Sequence, residues 1–194
     1  ILSASKLDDT IAWYENDGNV NPSWTASDIA TDADGAFSVF AADMDNDGDM
    51  DILSASDVDD TIAWYENDGN ANPSWTASDI DTNADNAKSV FAADMDGDGD
   101  MDILSASVND NAIAWYENDG AANPSWTASD IATSASGATS VFAADMDNDG
   151  DMDILSASQS DNTIAWYEND GAADPDWTAE DIATSASGAQ SVFA

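Results

Sequence analysis

S-V-F-A-A-D-M-D-N-D-G-D-M-D-I-L-S-A-S, residues 38–56, holds two short apolar runs on either side of a nine-residue acidic stretch. The runs, 38–42 and 52–56, have the length of strands rather than helices. Between them Asp43, Asp45, Asp47, Asp49 and Asp51 occupy alternate positions, with Gly48 at the sixth place of the stretch. Carboxylates so closely spaced need open water around them or a cation among them. The spacing therefore predicts two antiparallel strands joined by a loop that gathers a metal ion.

The stretch is one part of a repeat. T-I-A-W-Y-E-N-D-G, or a close variant, begins at 10, 61, 112 and 163, and S-V-F-A begins at 38, 89, 140 and 191. The period is 51 residues, without insertion or deletion. Such a period marks a solenoid, a propeller or an array. The chain divides into a single repeat domain, 1–194, with units 1–50, 51–101, 102–152 and 153–194.

Each unit contains four strand-like segments, as at 38–42, 52–56, 61–66 and 75–80. Polar turns such as D-V-D-D, 57–60, and N-D-G-N-A-N-P-S, 67–74, separate them. In T-I-A-W-Y-E both alternating faces carry apolar residues: Ile62 and Trp64 on one, Ala63 and Tyr65 on the other. A strand of that kind wants sheets stacked on both sides. Radially arranged four-stranded antiparallel blades provide this, so the expected fold is all-β, a beta-propeller. The small residues Ala12 and Ala63 suit the narrow end of such blades.

The segment order adds a prediction about closure. The chain opens on a second strand and ends on a first strand, 191–194. The first blade is expected to be completed by that C-terminal strand. Closure within one chain gives four blades, and closure between two chains gives eight. Continuation into a longer array is the third arrangement.

Composition narrows the function. Lys6 and Lys88 are the only basic side chains against 41 acids, for a formal charge of -39. Such a field repels nucleic acid and anionic membranes, and favours cations or basic surfaces. The hydrophobic content of 43%, with 8 Trp, is enough for a core despite the charge. With no cysteine and no histidine, disulfides, thiolate sites and imidazole chemistry are all absent. No apolar run reaches the length of about 18 residues needed for a membrane span, so no membrane insertion is expected.

The loops carry the metal-ligating candidates. They are Asp43, Asp45, Asp47, Asp49 and Asp51; Asp94, Asp96, Asp98, Asp100 and Asp102; and Asp145, Asp147, Asp149, Asp151 and Asp153. Gly48, Gly99 and Gly150 permit the sharp turn. Hard oxygen ligands on a flexible loop suit Ca2+ better than Mg2+, which prefers a rigid octahedron. The seventh position typically offers its backbone carbonyl, and the ninth a carboxylate, directly or through water. The twelfth is Ser54, Ser105 or Ser156 inside a strand, so the loop is not an EF-hand. Three Ca2+ ions would reduce the formal charge only from -39 to -33. Most acids, such as Asp8, Asp17, Asp28, Asp68 and Asp79, are expected on a solvated face.

S-V-F-A-A-D-M-D-N-D-G-D-M-D-I-L-S-A-S resembles an FG-GAP/VCBS-type repeat, the unit of integrin-alpha-like propellers. The resemblance covers the whole chain. It implies calcium in the hairpin between the first and second strands of a blade, held by the aspartates of the three loops. Family members include adhesion modules, lectins and noncatalytic domains of secreted enzymes. Two departures stand out: rings of this family usually have seven or eight blades, and the units here barely diverge.

The expected function is a calcium-stabilised extracellular scaffold or self-assembly module, secreted or at the cell surface, as a homodimer closing an eight-bladed ring. The alternative is a multivalent lectin-like adhesion module for carbohydrate or an extracellular protein, with Trp75, Asn67 and Asp68 and their repeats as contacts. Glu15, Glu66, Glu117 and Glu168 are carboxylates that could serve glycoside hydrolysis. Nothing around them breaks the repeat, so an enzyme is not expected. Phe37, replaced by Lys88, Thr139 and Gln190 in register, reads as an exposed variable position.

Overall fold

The computed structural model describes residues 1–194 as fifteen β-strands and no helix. The first sheet contains β1 (Leu2–Ser5), β2 (Thr10–Asn16) and β3 (Trp24–Ala30). The second contains β4 (Ala36–Ala42), β5 (Asp51–Ser56), β6 (Thr61–Asn67) and β7 (Trp75–Asp81). The third contains β8 (Ala87–Ala93), β9 (Asp102–Ser107), β10 (Ala112–Asn118) and β11 (Trp126–Ala132). The fourth contains β12 (Ala138–Ala144), β13 (Asp153–Ser158), β14 (Thr163–Asn169) and β15 (Trp177–Ala183). Within each sheet strands pair antiparallel with their neighbours in sequence, so each unit is a meander.

Sequence chemistry explains the joints. The turn from second to third strand needs one left-handed residue, and the chain places Asp9, Asp60, Asn111 or Asn162 there, with φ of 55°, 60°, 59° and 64°. Asp and Asn tolerate that region better than other non-glycine residues. The same side chains tie each sheet to the segment that opens the next. Asp9 accepts from the Gly35 amide, Asp60 from Asn86, Asn111 from Gly137 and Asn162 from Gly188. Asp and Asn interchange here because only an acceptor oxygen is required.

The sheets pack face to face in chain order, as blades. Between the second and third, Leu53, Ile62 and Trp64 pack with Val90, Ile103 and Tyr116 in a cluster of 13 buried residues. An equivalent cluster of 13 joins the third and fourth. Only 6 buried residues join the first and second, because the first sheet is one strand short. Each fully buried Leu or Ile contributes about 1.5–3 kcal/mol, which makes the first junction the weakest. Phenylalanines on the first strands continue the line: Phe40–Phe91 at 4.6 Å, Phe91–Phe142 at 4.8 Å and Phe142–Phe193 at 6.4 Å between centroids.

Residues 191–194 do not pair with β1 within the chain, and they form no strand. Val192 donates its amide to Ser140 Oγ, just as Val141 donates to Ser89 and Val90 to Ser38. The segment therefore stands to β12 as β12 stands to β8. It occupies the place of a first strand of the next blade, with no neighbour to complete a ladder. β1 lies at the other end of the succession, packed against β4.

The chain's two lysines meet on one buried carboxylate. Lys6, in the turn after β1, and Lys88, in β8, both bind Asp57 Oδ2, whose side chain is fully buried. The contact spans three successive blades. Burial pushes the Asp57 carboxyl upward, but the bonds from Lys6 and Lys88 outweigh it and hold the group below the usual carboxylate value. Lys88→Ala is expected to cost about 2–3 kcal/mol, because it strips a partner from a buried charge. Lys6→Ala should cost under about 1 kcal/mol, since Lys6 is more exposed. A depressed carboxylate stabilises above its unfolded value, and that stability is lost as pH falls through the folded value. The gap in urea midpoint between wild type and Lys88→Ala should therefore close in acid. A gap that persists there would count against the ion pair.

Candidate metal centre and blade junctions

The acidic loops leave the first strand of each complete blade and enter the second. Their curl is built from short aspartate-to-backbone bonds. In the first loop Asp43 accepts from the amides of Asp47 and Gly48, Asp45 from Asp47, and Asp47 from Asp49. Asp94 likewise accepts from Gly97 and Gly99. Two backbone positions are left-handed. Gly48, Gly99 and Gly150 have φ of 98°, 98° and 106°, and the fourth loop position has 60° at Asn46, 76° at Gly97 and 65° at Asn148. The alternation of Asn and Gly at that fourth place was the sequence signal for the second constraint.

This curl brings Asp43, Asp45 and Asp47 together, and likewise Asp94, Asp96 and Asp98, and Asp145, Asp147 and Asp149. One carboxylate oxygen from each residue of a set lies within 4.8 Å of the others. Oxygens bound to one Ca2+ at about 2.3–2.6 Å have this mutual spacing. The donor set is all oxygen, which suits a hard cation and not zinc or copper. The residues present therefore fit the ion.

The other two aspartates of each loop have separate surroundings. Asp49 Oδ2 lies against Gly69, where an added Cβ would come within 2.4 Å; Asp100 and Asp151 stand the same way to Gly120 and Gly171. Asp51, Asp102 and Asp153 are buried at the base of the loop. Each grips two amides: Asp51 accepts from Met44 and Asn67, Asp102 from Met95 and Asn118, Asp153 from Met146 and Asn169. Each oxygen keeps a second lone pair, so these carboxylates brace the loop and leave electron density for a cation.

Burial raises Asp45, Asp96 and Asp147, and their carboxylate neighbours raise them further. Asp51 is raised by burial as well. Asp102 is pushed up to about 7 by burial, against the pull of the Asn118 and Met95 amides. The Trp64 and Trp115 indoles also favour ionised Asp51 and Asp102, but their N–H groups lie outside hydrogen-bond geometry. A site that raises its own carboxylates when metal-free has put negative charge where a cation would be favoured.

The asparagine of W-Y-E-N has a role the sequence reading missed. Asn118 is buried and donates to the carbonyls of Met101, in its own blade, and Met44, in the preceding one. Asn169 does the same to Met152 and Met95. Asn67 reaches only Met50. The acidic loops are thus clamped to the next blade, with Met44 and Met95 buried beneath.

Of the residues expected at a repeated sugar site, Asn67 and Trp75 line one cavity of about 400 Å³, and Asp68 is exposed outside its lining. Asn67 accepts from Gly69, and Asp68 holds Asn70 and Ser74. Trp126 and Trp177 lie edge-on to Trp64 and Trp115 of the preceding blade, at 6.3 and 6.2 Å. Glu15, Glu66, Glu117 and Glu168 sit near the ends of third strands and belong to none of the aspartate triads, although Glu117 is near enough to Asp96 to raise its carboxyl.

Four-stranded blades in a 51-residue repeat, each acidic loop at the same joint, define a propeller-like repeat module. Residues 1–54, 43–105, 94–156 and 145–194 each match the model of the FG-GAP-like repeat, and the chain belongs to that family. Comparison with curated proteins returned no match.

Proposed function

We propose that this protein is a calcium-stabilised, non-catalytic propeller module that works as a scaffold outside the cell, two copies closing one eight-bladed ring. The observation that carries the calcium reading is the convergence of three carboxylates in each of three equivalent loops. The repeat family is typically calcium-binding and extracellular, and no helix is long and apolar enough to cross a membrane. Ca2+ would supply charge neutralisation at the loops and no reaction. Asp43, Asp45 and Asp47 and their counterparts would hold it, while Asp51 and its counterparts keep the loop base in place.

The ring reading is supported by two complementary surfaces. β1 carries a free edge where the other blades carry a first strand. Ser191–Ala194 has first-strand surroundings on one side only, and Phe193 remains 81% exposed. A second copy offers each surface what it lacks, and closure removes the open edges that invite aggregation. Light scattering in 1 mM CaCl2 is expected to give about 40 kDa, two chains of 20.2 kDa. A monomer both in calcium and in chelator would refute the paired ring.

A further inference from the structure

Only three places in the 51-residue unit carry a different residue in all four copies. They are 6/57/108/159 (Lys, Asp, Val, Gln), 7/58/109/160 (Leu, Val, Asn, Ser) and 37/88/139/190 (Phe, Lys, Thr, Gln). Two of the three sets meet in space. A cavity of about 340 Å³ is lined by Phe37, Lys88, Thr139 and Gln190, together with Val108 and Gln159. Its remaining wall is Asn86, which stands where the other units have Gly35, Gly137 and Gly188.

Exposure alone does not explain this convergence: Phe37, Gln159 and Gln190 are exposed, but Asn86, Lys88, Val108 and Thr139 are half-buried. Asp57 is buried, and the Lys88 side chain is only 15% exposed. Phe37, Lys88 and Thr139 are each the extra residue of a β-bulge, between Ala36 and Ser38, Ala87 and Ser89, and Ala138 and Ser140. A bulge frees a residue from the ladder and re-aims its side chain. The cavity therefore sits where the fold lets side chains vary without disturbing the ladder. It lies at the start of the first strands, and the acidic loops lie at their other end.

We propose that this mouth is a binding site for a neutral saccharide. Its polar groups keep unused capacity of both kinds. Gln190 donates to Gln159 at 2.8 Å, which leaves an amide donor on Gln159 and a carbonyl acceptor on Gln190. Asn86 donates to the Asp57 carbonyl and keeps its own amide oxygen. Lys88 binds Asp57 and stands 4.2 Å from the centre of the Phe37 ring, with a further N–H available. Sugar hydroxyls donate and accept at once, and so match a mixed set. Phe37, 48% exposed, offers a ring to a sugar's C–H face. An anion would meet a chain of formal charge -39, and a cation would meet Lys88 in the wall. The volume falls in the range of small-molecule sites, about 300–1,000 Å³.

The test uses the full chain in calcium on an array of neutral and acidic glycans. Binding to one or more neutral glycans is expected, at least tenfold weaker for Phe37→Ala/Gln159→Ala/Gln190→Ala with its melting temperature unchanged. All three residues are exposed, so this variant should fold. Thr139→Arg, which fills the cavity, gives a second and independent block. The proposal is overturned if no neutral glycan binds, if only acidic glycans bind, or if both variants bind as well as wild type. The calcium and ring readings are tested by melting and by mass, so failure of this site leaves them standing.

Discussion

Chelating calcium is expected to lower the melting temperature by at least about 10 °C. A site filled at a hundred times its dissociation constant adds about 2.7 kcal/mol, so three add roughly 8 kcal/mol. A chain of this size moves by about 2–4 °C per kcal/mol. Weak binding of calcium by the unfolded acidic chain trims that total, hence the lower figure. Scanning calorimetry in 1 mM CaCl2 and in EGTA reads the difference directly. Equal melts would sink the structural role of the ion, and equal rescue by magnesium would sink its identity.

The same experiment carries a pH dependence with a defined sign. Burial lifts Asp102 to about 7, well above a free carboxyl near 3.9. Without metal, the folded state binds that proton more tightly than the unfolded state does. The resulting stability is fully present below the unfolded value and is lost as pH rises through about 7. The chelated protein should therefore gain stability on going from pH 8 to pH 5. The calcium-loaded protein should lose it, because protons compete with the ion for the same oxygens. The two melting curves are expected to converge in acid; parallel curves would contradict the coupling.

Asn118→Leu is expected to cost about 4 kcal/mol. It leaves the Met44 and Met101 carbonyls and the Gly120 amide without their partner. The bond to Met44 is buried and those to Met101 and Gly120 are partly buried; a stranded buried group costs about 1–3 kcal/mol, and a partly buried one less. Asn67→Leu removes the bonds to Met50 and Gly69 but no bond to a preceding blade, and should cost about 1–2 kcal/mol. Urea unfolding of the two variants isolates the inter-blade contribution. Equal losses would mean that the clamp between blades carries no weight.

The strands and their order were legible because alternation, turn residues and the repeat all agreed. The 51–56 strand, for instance, begins within one residue of its expected place. The convergence of the aspartate triads was legible too, since alternate aspartates with a glycine at the sixth place come together by curling. The base of the loop was less so. A ninth-place aspartate reads as a ligand, whereas Asp102 shows that it also fastens two amides. Asn118 was illegible for a different reason: in W-Y-E-N-D-G it reads as a turn former, and its partner lies 74 positions away in sequence. Phe37 reads as an exposed variable position and is one, but nothing local announces the bulge that places it. Asp57 sits in a run of acids that reads as solvated, and only the fold brings Lys6 and Lys88 to it.

The recurrence of one asparagine clamp at successive junctions has a consequence for how such a protein can change in size. Every added blade meets its predecessor through the same joint and contributes a similar increment of free energy, as in other linear repeat systems. A single unit encodes the angle between neighbours but not their number. In the ring proposed above, circumference would be decided where the succession meets itself, so duplication or loss of a whole unit would alter its size without redesigning any part of it.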